Sequence, residues 1–289
     1  MRSEIDHKAL LPRFEPVLRF TQGERFFPYD VSAYVHQASL WAKSPDSPPR
    51  EIISEDALDL ARLGSLWLTG ADDVYYLQFI SPMKLRELAE FQISRLREAG
   101  REKRFQPSRS RLTRVGYLAR LVDVFFSLIL LLRGRVPGET VTAALATFDE
   151  MLALEKKFQY YGRVIRQSGW IILQYWYFYP FNNWRSGFSG ANDHEADWEM
   201  VNIYCYEGKD GKVFPEWLAY ARHNDDGDDL RRHWKDPEVE KVGEHPVVYV
   251  GGGSHAGYYQ AGEYLAQLTL PFLKPIRMIH AGILSFFKG

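Results

Sequence analysis

Trp170 to Tyr179 reads WIILQYWYFY, a run in which Gln174 is the lone exception to apolar or aromatic character. So short a run, this rich in isoleucine and aromatic rings, fits a strand covered on both faces. Three more strands are predicted after it. Ala196 to Glu207 is the second; Gly208, Asp210 and Gly211 then supply turn chemistry before a third at Val213 to Arg222. The fourth, Val247 to Val250, ends in Gly251, Gly252 and Gly253. Consecutive short strands joined by tight turns predict antiparallel pairing. The fold class expected is α+β: an antiparallel β-sandwich with a large helical insertion.

Upstream the pattern is helical. From Ser81 to about Arg166, Leu85, Leu88, Ala89 and Leu96 share one face, with Arg86, Glu90, Arg97 and Glu98 off it. Earlier still, residues 16–30 read as extended around the Gln22-Gly23 turn signal, and Asp30 suits the N-cap of a helix over Val31 to Ala42. Proline and serine make Lys43 to Arg50 a loop, and short strands are expected near Leu66 to Thr69 and Val74 to Ile80. One domain over 1–289 is expected. Within it, 14–80 carries N-terminal strands and a short helix, 81–166 the helical insertion, 167–262 the β-sandwich portion with the site, and 263–289 an apolar C-terminal segment.

Lys plus Arg, 36, nearly cancels Asp plus Glu, 37, which removes the basic field that nucleic-acid binding uses. The one cysteine, Cys205, cannot form an internal disulfide. The N-terminal residues lack the apolar core of a secretory signal, so a cytoplasmic location is expected. Val115 to Leu132 is broken by Arg120 and Asp123, and Leu268 to Phe287 by Pro271, Lys274, Pro275 and Arg277, so neither makes a clean membrane span. The weakly basic Ile276 to Phe287 suits packing on the domain or peripheral contact with a membrane surface.

The chemistry concentrates in Gly190 to Val201, GANDHEADWEMV. Strand alternation sends Asp197 and Glu199 to one face and Trp198 and Met200 to the other. Residues two apart on a strand lie roughly 6 to 7 Å apart at Cα, so both carboxylates can reach one cation. His194, at the loop-to-strand junction, can swing onto that face and complete one imidazole and two carboxylates, a set suited to a divalent metal with open positions. The competing reading leaves Asp197 and Glu199 on the solvent face of an edge strand, with His194 a polar loop residue. His223, at the end of the third strand, and His255, after the glycine turn in GGGSHAGYY, also stand at strand ends.

Other motifs carry less. Asp225, Asp226, Asp228 and Asp229 crowd one loop, but without EF-hand spacing or its terminal glutamate they read as a solvated acidic loop. The three glycines lack the Lys-Ser/Thr of a phosphate loop, and allow a sharp turn or close backbone approach instead. No Gly-x-Ser-x-Gly elbow is present, and nothing around Cys205 marks a catalytic cysteine. Trp176, Tyr177, Phe178, Tyr179, Phe181 and Trp184 run into the site, either as core or, near the loop, as the lining of a pocket.

The run Ala191 to Glu199, ending Asp197-Trp198-Glu199, resembles the Gly-His-Arg-His-Asp-Trp-Glu heptapeptide of necrosis- and ethylene-inducing-like proteins. The wider pattern is similar to the vacuolar protein sorting sixty-two-like proteins, whose Asp-Trp-Glu strand, histidine-ended strand and Val-Tyr-Val segment leading to Gly-Ser-His-Ala match Asp197 to Glu199, His223, and Val248 to Ala256. The resemblance spans Gln174 to Tyr259. The first family implies a β-sandwich whose calcium or magnesium serves the binding of a glycosylated sphingolipid, with His194, Asp197 and Glu199 as the ligands carried over by position. Asp193, Glu195 and Ala196 depart from its heptapeptide, and that family is secreted, which puts its cytotoxic activity in question here.

Three functions follow as alternatives. In the first, His194, Asp197 and Glu199 hold calcium or magnesium, and the ion recognises a small molecule, a glycan or a lipid headgroup. In the second, the protein is a hydrolase whose zinc or iron activates water while catalytic His223 or His255 acts as base or steadies charge. In the third, it is a non-catalytic, membrane-proximal scaffold.

Overall fold

The computed structural model describes residues 7–21, 24–66, 72–80, 90, 93, 139–155, 158–183, 194–221 and 230–262. The chain is β-rich. A 3-10 turn at His7–Ala9 runs into α1 (Leu10–Arg13), followed by β1 (Val17–Phe20), α2 (Val31–Gln37), β2 (Ser39–Lys43), β3 (Arg50–Ile53), α3 (Leu60–Ser65) and β4 (Val74–Gln78). After α4 (Glu139–Leu154) come β5 (Tyr161–Gln167), β6 (Trp170–Asn182), β7 (His194–Glu207), β8 (Val213–Tyr220), β9 (Arg231–His233), β10 (Lys241–Val242), β11 (His245–Val250) and β12 (Gly257–Tyr258).

Strands β5 to β9 form one antiparallel sheet in sequence order, with short connections joining β5 to β6 and β7 to β8. β6 alternates between buried and half-buried residues from Trp170 to Trp176, so the expectation of a strand covered on both faces holds only from Tyr177 to Asn182. On one face Leu173, Tyr175, Tyr177, Val201, Ile203 and Leu218 pack with Phe14, Val248 and Tyr259, so that the β1-β11-β10 sheet, with β12 alongside β11, shares this core. On the other face Phe178 and Phe181 pack with Tyr34, Leu40, Phe79 and Phe148, drawn from α2, β2, the end of β4, and α4.

Several boundaries depart from the sequence expectation. The helix capped by Asp30, whose side chain accepts from the Ser32 N–H, stops at Gln37 rather than Ala42. From Ser39 onward the burial alternates, Leu40 and Ala42 point inward, and β2 becomes the central strand between β3 and β4. The helical expectation to Arg166 also overruns. Tyr161–Gln167 is a strand, because Val164 and Ile165 pair with Leu173 and Ile172 across a tight hairpin. Most of the remaining span, 81–89, 91–92 and 94–138, lies outside the described residues, as do the acidic loop and the C-terminal segment. The expectation of purely antiparallel strands fails at one pair: β1 runs parallel to β11, with Val17 opposite Val247 and Phe20 opposite Val250. Among the described residues no helix is long and apolar enough to cross a membrane.

Candidate functional site

β6 and β7 place the site. Their register sets Tyr177 opposite Glu199, Tyr179 opposite Asp197 and Asn182 opposite His194. Asp197 and Glu199 project from the face that carries Val201 and Ile203, and both are buried, at 3% and 6% exposure. Trp198, on the opposite face, is 43% exposed and leans on Phe178. The solvated-edge reading of the two carboxylates therefore fails, because β7 lies inside the sheet and this face is covered by the second sheet.

His194 is exposed at the start of β7, with Nδ1 3.2 Å from the Glu195 carbonyl oxygen. Between it and Asp197, Ala196 takes a left-handed backbone (φ 58°), a conformation that costs an L-residue about 1–2 kcal/mol. Glu195 points to the other face, where its carboxylate accepts the N–H groups of Phe79 (2.6 Å) and Ile80 (3.2 Å) and so ties the end of β4 to β7. Burial raises its pKa, and those two N–H groups offset the rise in part.

The imidazole that meets Asp197 is His255. Its Nδ1 lies 2.9 Å from Asp197 Oδ2, the oxygen that also accepts from Asn182 Nδ2 at 3.0 Å. Its Nε2 faces Glu24 Oε1 at 3.7 Å, an ion-pair distance too long for a hydrogen bond. The Tyr179 ring stacks on the imidazole at 3.9 Å, with 2° between the planes. The His255 side chain has no exposed surface. His255 too is left-handed (φ 56°). Such strain persists only where the surroundings over-determine the backbone.

The glycine turn makes this possible. The His255 N–H bonds the Gly251 carbonyl and the Gly251 N–H bonds the Ala256 carbonyl. Gly253 (φ 74°) packs so closely on the next segment that a Cβ there would lie 2.7 Å from the Asn183 carbonyl oxygen. The Asn183 side-chain oxygen beside it is buried without a hydrogen-bond partner among the described residues.

Electrostatics follow from burial and proximity. Burial by itself would pull the His255 imidazole down, but the hydrogen bond to Asp197 and the facing Glu24 outweigh it and push the pKa up to about 9. Burial, reinforced by the Asp197 charge and offset in part by His255, pushes Glu199 up to about 9. Glu24 runs the other way: burial would raise it, yet His255 and the N–H groups of Gly253 and Arg25 hold it below the ordinary carboxylate value.

Of the residues singled out from sequence, Asp197, Glu199 and His255 come together, while the His194 ring is exposed at the start of β7 beside the Glu195 carbonyl. His223 and Trp184 lie outside the described residues. No group of three or more His, Cys, Asp or Glu side chains among the described residues has the arrangement of a metal-holding cluster. Glu24 was missed. It follows the Gln22-Gly23 turn signal in an aromatic stretch, and nothing in its local sequence shows that the β1–β11 pairing carries it to His255.

No family model matches the chain. Over 126 residues it is 25% identical to TDA6 of Saccharomyces cerevisiae, whose name associates it with vacuolar protein sorting; the match covers 38% of this chain and 26% of that protein. The chain thus matches about a quarter of the length of its curated relative. Among solved structures, NLPPya in complex with mannosamine superposes with a TM-score of 0.27 and 19% identity, over 39% of this chain and 51% of that one. Its glucosamine complex gives a TM-score of 0.28 and 18% identity over the same shares. Necrosis and Ethylene inducing Protein 2, from the causal agent of cocoa's witches' broom disease, gives 0.27 and 19% over 38% and 51%. The chain is therefore similar, over part of its length, to a yeast protein named for vacuolar sorting and to necrosis- and ethylene-inducing proteins.

Proposed function

We propose that the chain is a divalent-cation-dependent recognition protein, in which Asp197 and Glu199 hold calcium or magnesium and the ion takes hydroxyl or phosphate oxygens of a sugar or lipid headgroup. One observation carries the reading: two carboxylates two residues apart project onto the same buried face of β7. Among the described residues, both hydrogen bonds to the Asp197 carboxylate meet Oδ2, which leaves Oδ1 as the oxygen to face a ligand. The donor set fits a hard ion, since carboxylate oxygens are the ligand type that calcium and magnesium take. His194 would join from the start of the strand on giving up its approach to the Glu195 carbonyl. The cation, when bound, supplies a positive centre for ligand oxygens. His255 holds Asp197 in place, and its enclosure favours recognition over hydrolysis with His255 as base. In this reading the five-stranded sheet and the sheet built on β11 are the two layers of a β-sandwich, and the span between β4 and β5 is an insertion.

Calorimetric titration of wild type and Asp197→Asn with calcium and with magnesium tests it. Wild type is expected to bind one ion, and the variant to lose at least about 100-fold in affinity. A wild type that takes up neither ion overturns the proposal. Mannosamine and glucosamine, named with structures similar to part of the chain, are the first ligands to titrate with and without calcium.

A further inference from the structure

Glu24 enters the core from the segment after β1, and its carboxylate is fixed before it meets any side chain. Oε2 accepts the Gly253 N–H at 2.7 Å, while Oε1 accepts the N–H groups of Arg25 at 2.8 Å and Phe26 at 3.1 Å. Held this way, Oε1 faces His255 Nε2 at 3.7 Å, and the opposite ring nitrogen reaches Asp197 Oδ2 at 2.9 Å. The imidazole is therefore clamped along one axis by two carboxylates and across its plane by Tyr179 at 3.9 Å. Rotation about the ring axis would break the Asp197 bond and turn carbon towards Glu24. All the members are buried, so water does not substitute for a lost partner cheaply.

We infer that Glu24 is the positioning residue for Asp197, acting through the His255 ring rather than by touching a ligand. The arrangement is the one by which outer carboxylates orient the groups that hold metals: an acid fixes an imidazole, and the imidazole fixes the group that does the binding. Here the imidazole sits between two acids, and the group it fixes is Asp197. The inference rests on the reading of Asp197 as a cation ligand for its consequence, but its geometry can be read without any cation.

The test uses the full chain and the variants Glu24→Gln and Glu24→Asp, with three readouts: thermal melting, the ring nitrogen and proton resonances of His255 by NMR, and calcium affinity by calorimetry. The expected result is a cooperative melt for the Gln variant, displaced His255 ring resonances, and calcium affinity lowered about 10- to 100-fold. A variant that melts like wild type with unmoved ring resonances and unchanged calcium affinity overturns the inference. A wild type that binds neither calcium nor magnesium overturns the cation reading alone. The ring resonances then decide the role of Glu24: displaced in the Gln variant they support it, unmoved they overturn it. If neither variant folds, the wild-type ring decides. Protons on both ring nitrogens, Nδ1 towards Asp197 and Nε2 towards Glu24, support the clamp, and a ring without a proton on Nε2 overturns it.

Discussion

Cys205 shows how completely a single residue's chemistry is set by its surroundings. It is buried at 0% exposure within β7, where burial pushes its thiol up to about 12 against a smaller lowering by Arg13. The thiolate is the nucleophile, so at pH 8 a thiol with that pKa is about one part in ten thousand ionised. Native protein is expected to show no reaction of Cys205 with a chromogenic disulfide at pH 8 over the time in which guanidinium-unfolded protein reacts fully. Rapid labelling of the native chain would contradict the burial. Asp197 and Glu199 are the opposite case, in which alternation along β7 sends polar groups inward, and the left-handed Ala196 and His255 frame the place where they arrive.

The β5–β6 hairpin shows the same logic over a longer stretch. Its two loop residues, Ser168 and Gly169, both take positive φ, 52° and 83°. This is the primed turn whose twist matches that of the flanking strands, and asparagine is favoured over serine at its first position. Ser168→Asn is expected to stabilise the fold by about 0.5 kcal/mol, read as a raised urea midpoint with unchanged slope. Gly169→Ala places a Cβ on a left-handed residue, and about 1–2 kcal/mol of destabilisation is expected from the same measurement. The helix α2 is a shorter element decided by competition. Asp30 starts it from local chemistry, but β2 claims the residues after Gln37 because pairing with both β3 and β4 secures more than another helical turn would.

On the scale of the whole molecule, the segment before α2 is tied to residues some 230 positions later. β1 pairs with β11, Phe14 is fully buried against the five-stranded sheet, and Arg13 makes a two-pronged ion pair with Glu244 at 2.9 and 2.7 Å. These ties differ in strength. The Arg13 pair is exposed and screened, so Arg13→Ala is expected to cost less than about 1 kcal/mol, whereas Phe14→Ala empties a core position and is expected to cost about 3–5 kcal/mol. Denaturant unfolding of the two variants separates them, and comparable losses would contradict the placement of Phe14. Glu24 lies in the same tethered segment, so the fold's long-range closure and the candidate site depend on one pairing.

By itself, the sequence determined the four strands that begin near Trp170, Ala196, Val213 and Val247, the N-cap at Asp30, the shared face of Asp197 and Glu199, and a turn of close backbone approach at Gly251 to Gly253. All of these arise from side-chain period, β-branched and aromatic content, or backbone sterics within a few residues. Only the tertiary structure decided that this face is buried, that His255 rather than His194 meets Asp197, that β1 runs parallel to β11, and that Glu24 closes on the imidazole. Those outcomes depend on which distant segments share a core, and a contact between residues 24 and 255 leaves no periodic trace in either neighbourhood. Burial of the whole aromatic face selects such a pairing, and no local preference of the backbone encodes it.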